Sequence, residues 1–182
     1  MHSPATDHML YDAARFEFTA ALADNWQAIY REYLDVADRV IDWFERDLYG
    51  DGWKVFGLFD FPHGKPLPEN TAACPLTTEL VKRHVPRHGA VGFSVLRPGT
   101  RIQPHEGYAG NFLRCHLALR VPSGDCGLRI GGVRQHWHEG KMLIFDDRHL
   151  HEAWNMTGED RVVLLLDFVP AADIAVTEAP RA

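Results

Sequence analysis

Residues 112–121 read F-L-R-C-H-L-A-L-R-V. A period of two puts Leu113, Cys115, Leu117, Leu119 and Val121 on one apolar face of an extended segment. Phe112, Arg114, His116, Ala118 and Arg120 fall on the other. Such a strand can lie at the surface with a wet polar face, or it can line the interior of a closed β-structure. In the second case Arg114 and His116 project together into a cavity, an arrangement suited to holding a carboxylate.

The flanking sequence favours closure. From Ala90 onward, short β-type segments separated by Gly, Pro and Asp recur at 90–96, 101–104, 112–121, 127–130, 134–137, 142–145 and 161–169. This density leaves no room for crossover helices, which excludes a parallel α/β sheet. The simplest architecture is mainly β, a jelly roll with flanking N-terminal helices. Between 24 and 44 the apolar residues Trp26, Ile29, Tyr30, Tyr33, Leu34, Ala37, Val40, Ile41 and Phe44 recur at spacings of three and four. That period predicts one amphipathic helix, followed by the turn Tyr49-Gly50-Asp51-Gly52. An apolar run over 55–61 precedes an exposed loop, H-G-K-P-L-P-E-N, and a shorter helix is expected over 76–84. With no internal repeat or linker, residues 1–182 form one domain: a helical flank over about 15–50, a β-core over about 53–170 and a tail at 171–182.

Composition narrows the classes further. Hydrophobic residues make up 46% of the 182, enough to bury a sizeable core, so a disordered chain is excluded. Lys+Arg number 19 against 25 Asp+Glu, and this acidic balance argues against binding nucleic acid. Cys74, Cys115 and Cys126 show no C-x-x-C spacing, which disfavours a disulfide framework or zinc finger. No window approaches the roughly 18 apolar residues of a membrane span. The first residues carry neither a cationic start nor an apolar h-region, so the expected location is the cytoplasm. The sequence is silent on oligomeric state.

Eleven histidines are the remaining chemical signal. His2, His8, His63, His84 and His88 fall in expected loops or element ends, and His136 and His138 flank Trp137 on an alternating segment that faces solvent. His105, His116, His149 and His151 remain. His105 and His151 stand on different strand ends, compatible with ligation of Fe, Cu or Zn across a jelly-roll mouth. Arg161 opens the strand R-V-V-L-L-L-D-F-V, either as a solvated end or as a buried anion partner.

Three stretches carry a resemblance: F-S-V-L-R-P-G-T-R-I-Q-P-H-E-G (93–107), L-R-C-H-L-A-L (113–119), and E-G-K-M-L-I-F-D-D-R-H-L-H-E-A-W-N (139–155) with its downstream D-R-V-V-L-L-L-D-F (160–168). Over about 53–170 the chain resembles the catalytic domain of the aspartyl/asparaginyl β-hydroxylase family of iron(II)- and 2-oxoglutarate-dependent dioxygenases. The order of the motifs follows the family, as do the steps from His105 to Arg114 and from His151 to Arg161. The resemblance implies a double-stranded β-helix, Fe(II) as metal, and 2-oxoglutarate and O2 as co-substrates. Carried over by position, His105 and His151 match the iron ligands. Arg161 and Ser94 match residues that hold the distal carboxylate of 2-oxoglutarate, and Arg114 and His116 match residues near its chelating end.

Where an H-x-D/E motif would supply a third ligand, this chain has Gly107, as the family does. Glu106 points to the opposite face, and Asp146 and Asp147 are expected to cap the turn before His151. The animal members carry an arginine two residues before the position of Arg114, where this chain has Phe112. The expected substrate is therefore amino-acid-like, taken as a small molecule, on a carrier or within a peptide, with an aspartyl residue in a protein the weaker candidate. The rival reading is a non-enzymatic, cupin-like anion- or sugar-binding module. A zinc hydrolase is disfavoured because no third ligand stands at a usual spacing.

Overall fold

The computed structural model describes residues 9–171. Its strands are Leu10–Tyr11 (β1), Ile41–Asp42 (β2), Trp53–Phe59 (β3), His88–Leu96 (β4), Thr100–His105 (β5), Leu113–Arg120 (β6), Cys126–Ile130 (β7), Val133–Gln135 (β8), Met142–Phe145 (β9), His151–Asn155 (β10) and Arg161–Phe168 (β11). Its α-helices are Phe18–Asp24 (α1), Trp26–Val36 (α2), Pro68–Ala73 (α3) and Pro75–His84 (α4). Among the described residues no helix is long and apolar enough to cross a membrane.

The strands form two antiparallel sheets, one of seven in the order β1-β9-β6-β11-β4-β3-β2 and one of four in the order β5-β10-β7-β8. The jelly-roll expectation holds. The alternation along β6 assigns its two faces: Leu113, Cys115, Leu117 and Leu119 pack in one core with Ile29, Tyr33 and Val36 of α2, while Ala118 belongs to a second core with Ile102, Leu128 and Ala153 of the smaller sheet. Arg114 and His116 share the side of Ala118. Burying each large apolar side chain of the outer core stabilises by about 1.5–3 kcal/mol, which fastens the helical layer to the sheet. Neighbouring β11 is buried along its whole length, and this accounts for its continuous apolar run.

The N-terminal helix is shorter than its periodicity implied. α2 ends at Val36, a 3-10 turn spans Ala37–Arg39, and Ile41 pairs with Val55 in the sheet. The β-branched pair Val40-Ile41 favours extended backbone, and the three-and-four spacing continues past the helix only by coincidence. Ile41 and Phe44 are 68% and 63% exposed, off the helical stripe altogether. A separate helix, α1, precedes α2, with Asn25 between them donating from Nδ2 to the Ala21 carbonyl. Pro68 opens α3 inside the expected loop, its fixed φ suited to a first helical turn. The expected turn before β3 is present: Gly52 has φ +91°, and a Cβ there would lie 2.0 Å from Thr100 Oγ1.

One further expectation changes. His151 opens a full strand, β10, that the sequence hides because both of its faces are covered. Glu152 on the outer face is paired by Arg101 and Arg129, and Trp154 lies under Arg101, Arg129 and Arg134. His88 stands at an element end as expected, opening β4, and its ring meets Phe59 at 4.4 Å. His63, His84, His136 and His138 are exposed, while His2, His8 and tail residues 172–182 lie outside the described residues.

Candidate active site

His105 ends β5 and His151 opens β10, and the antiparallel register sets them directly opposite each other with ring centroids 4.2 Å apart. Each ring is turned by its own strand. His105 Nδ1 lies 2.8 Å from the Gln103 carbonyl and His151 Nδ1 lies 2.9 Å from the His149 carbonyl. A ring nitrogen facing a carbonyl oxygen carries the proton, so both imidazoles keep the Nε2 lone pair for a ligand. Burial, reinforced by His105, pushes the His151 pKa down to about 3, keeping this ring neutral. His149, one of the four histidines singled out, contributes its backbone carbonyl, while its ring lies 4.0 Å from Asp146.

The third carboxylate is absent for a steric reason as well. A Cβ on Gly107 would lie 2.2 Å from Asp147 Oδ2, so the Asp147 carboxylate fills the space a side chain at 107 would need. Glu106 is exposed, and among the described residues no cluster of three or more His, Cys, Asp or Glu could hold a metal. Asp146 does cap its turn, accepting from the Arg148 backbone N–H. Asp147 does something different: it pairs with Arg114 at 3.1 Å, and burial raises its carboxyl to about 6.

Arg161 is the electrostatic anomaly. It is 2% exposed, its Nη1 reaches only the Ser94 carbonyl at 3.4 Å, and its Nε has no partner. Its guanidinium stacks 4.6 Å over the Trp137 ring. Burial lowers it to about 10, with Cys126 the one group opposing that shift. An isolated buried cation is costly, and the deficit is met when an anion enters. Beside it, His116 Nδ1 accepts from the Trp137 indole at 3.2 Å, which leaves the proton on Nε2, a buried donor with no partner. Burial and the charges of Arg161, Arg114 and His151 keep His116 neutral. Ser94 Oγ accepts from Trp53 Nε1 at 3.0 Å and retains its own hydrogen to donate.

Ser94, His105, Arg114, His116, His151 and Arg161 thus line one cavity between the sheets, walled by Ile102, Leu128, Phe145 and Leu165. Its open volume is about 30 Å³, room for ordered water. The orphaned donors on Arg161 and His116 together with two bare Nε2 atoms fit a divalent metal and a carboxylic acid. Arg114 is the exception among the six. Its guanidinium grips Asp167 through Nε and Nη2 at 2.8 and 2.9 Å and meets Asp147 through Nη1, so it is already neutralised. Burial opposes the charge on Arg114, but the two carboxylates outweigh it and raise its pKa. Arg114 therefore has no charge left to offer an anion, whereas Arg161 does.

Asp147, Asp167, Trp53 and Trp137 are site residues that sequence reasoning did not reach. Asp167 carries a readable signal, since a lone carboxylate inside an apolar strand needs a buried cation on a neighbouring strand. Trp137 gives none, because nothing in its alternating segment marks its indole as the support for His116.

The sequence profile of the family described as aspartyl/asparaginyl β-hydroxylase matches residues 23–170. The Rhizobium tropici protein named ornithine lipid ester-linked acyl 2-hydroxylase is 37% identical over 88% of this chain and 60% of its own length. The aspartyl/asparaginyl β-hydroxylase of Homo sapiens is 31% identical over 83% of this chain and 21% of its own. The chain therefore spans from a fifth to three fifths of these relatives. Among solved structures, a Pseudomonas putida prolyl-4-hydroxylase superposes with a TM-score of 0.55 at 16% identity, covering 82% of this chain and 88% of that one, a likeness of fold. With the profile covering most of its length and the Rhizobium tropici protein 37% identical over 88% of it, this chain belongs to the aspartyl/asparaginyl β-hydroxylase family.

Proposed function

We propose that the protein is an iron(II)- and 2-oxoglutarate-dependent hydroxylase acting on an unactivated carbon of an amino-acid-like substrate, small or tethered. The observation that carries the proposal is Arg161: a fully buried cation without a carboxylate partner, in the same cavity as two histidines that both present Nε2. Iron(II), 2-oxoglutarate and oxygen together supply the oxidising power that replaces C–H by C–OH.

Each residue's share follows from its surroundings. His105 and His151 hold the metal through Nε2, their orientation fixed by the Gln103 and His149 carbonyls. Arg161 and the Ser94 hydroxyl take the far carboxylate of 2-oxoglutarate by charge-assisted hydrogen bonds. His116, neutral and oriented by Trp137, donates from Nε2 to the same co-substrate. Arg114, tied to Asp147 and Asp167, braces the wall under the histidines. Phe145, Ile102 and Leu165 exclude water. The Rhizobium tropici relative, named as a 2-hydroxylase of the ester-linked acyl chain of an ornithine lipid, supports a lipid as the carrier of a tethered substrate.

The test is calorimetric titration of 2-oxoglutarate into the protein with Fe(II) under anaerobic conditions, followed by aerobic assay for succinate. Metal-dependent binding and succinate formation are expected. Tight binding of sugars or simple anions with no succinate would favour the non-enzymatic module.

A further inference from the structure

β4, β3 and β2 end the larger sheet on one side. A groove of about 740 Å³ lies there, within the roughly 300–1,000 Å³ of small-molecule sites. The middle of its floor is low: Gly57 and Gly92 oppose each other in register, Ala90 lies two residues before Gly92 on the same strand, and Val55, Ser94 and Leu165 stand around them. Its walls are aromatic and aliphatic. Trp43, Phe44, Phe61 and Leu67 stand on them, and the exposure of Ile41 and Phe44 is explained by their place at the rim.

Three observations identify an occupant. First, the groove adjoins the reaction cavity, with Ser94 and Leu165 forming part of the wall of both. The partition between them is the Trp43–Trp53 stack, with ring centroids 4.8 Å apart. Second, apart from Ser94, the polar side chains lining the groove already have partners within the chain. Arg39 donates to Asn70, Asn70 donates to the Gly57 carbonyl, Asp42 pairs with Lys54 and Arg46, and Asp60 accepts from the Lys65 N–H. A peptide or sugar would find few partners there, whereas a hydrocarbon needs none. Third, an aromatic line runs from Phe44 to Phe61 at 5.9 Å and continues beyond the groove to Tyr108 at 5.3 Å and Phe112 at 6.4 Å, extending the apolar surface toward β6.

We infer that this groove binds the hydrocarbon chain of an acylated substrate whose polar head enters the reaction cavity. The inference rests on the hydroxylase reading and names its substrate class. Phe112 and Phe61 then act as specificity residues, selecting an acyl chain over an acidic side chain at the mouth.

The experiment is calorimetric titration of N-acylglycines with acetyl, hexanoyl, octanoyl, decanoyl and dodecanoyl chains, below their micelle concentrations, in parallel with 2-oxoglutarate. Affinity is expected to rise about two- to fourfold per methylene, the range for half to full burial of each group. Ala90→Phe, which fills the floor, and Phe44→Asp, a surface change that leaves the core intact, should each weaken dodecanoylglycine at least about tenfold. Affinities that are flat with chain length, or a length dependence that survives both substitutions, overturn the inference. So does a dimer by light scattering that Phe44→Asp dissociates while acyl compounds fail to bind, since a second copy would then cover the groove. Binding of 2-oxoglutarate with flat acyl affinities sinks the groove alone, and length-dependent acyl binding without 2-oxoglutarate binding sinks the hydroxylase reading alone.

Discussion

Arg161 and Arg114 are both buried in one cavity, yet they are built for opposite purposes, and substitution separates them. Arg161→Met removes a cation that no described carboxylate neutralises, so thermal stability should hold or rise, while 2-oxoglutarate affinity falls by roughly a hundredfold. Arg114→Met leaves Asp147 and Asp167 facing each other and should destabilise by about 3–5 kcal/mol in urea unfolding. Acid titration gives a third expectation. The unfolded chain protonates its histidines below about pH 6.5, whereas folded His151 and His116 stay neutral, so each withdraws stability as pH falls from there. Asp147 works the other way, since its carboxyl, raised to about 6, gains a proton on folding between about pH 6 and 4. Two groups oppose one, and the metal-free protein should lose about 1.4 kcal/mol per pH unit on acidification through that window. A melting temperature that rises between pH 6.5 and 4.5 contradicts these assignments.

Among the elements, the turn between β9 and β10 and the segment after β5 are fitted to each other through Gly107 and Asp147. Gly107→Asp, which spells a three-ligand motif in sequence, should destabilise by about 1–3 kcal/mol because the new Cβ meets Asp147 Oδ2, and Asp147→Gly should recover most of that loss in a double-mutant cycle. The helical layer is joined by a comparable device. Glu32 of α2 accepts from the Leu76 and Thr77 N–H groups at 2.8 and 2.9 Å and from Thr77 Oγ1 at 2.6 Å, capping α4 from another helix. Glu32→Ala should lower unfolding free energy by about 1–2 kcal/mol, with helix α4 exchanging its amide hydrogens faster. Neither contact is legible in sequence, since each joins segments whose proximity only the fold creates. The β6 alternation and the β11 run were legible, because one has a two-residue period and the other is buried on both faces. β10 was not, because Glu152 and Trp154 are covered by arginines drawn from neighbouring strands.

At the scale of the whole molecule, two sheets of unequal width explain why one end of the interior is a closed polar cavity and the other an open apolar groove. The smaller sheet brings His105 and His151 over Arg114, His116 and Arg161 of the larger one, so the site exists only when the sheets close. Sequence motifs singled out these residues, which the fold gathers from four separate strands, β5, β6, β10 and β11. They could not distinguish a neutralised arginine from an unpaired one, because that difference lies in Asp147 and Asp167. The central claim is that His105 and His151 hold a metal to which an acid anchored by Arg161 is bound. Its most direct test is an anaerobic visible-absorption titration of the metal-free protein with Fe(II) and 2-oxoglutarate. The account requires a metal-to-ligand charge-transfer band in the wild type, no band in His151→Ala, and a band in Arg161→Met only at roughly a hundredfold more 2-oxoglutarate. Folded wild-type protein that shows no band and binds no 2-oxoglutarate would contradict it.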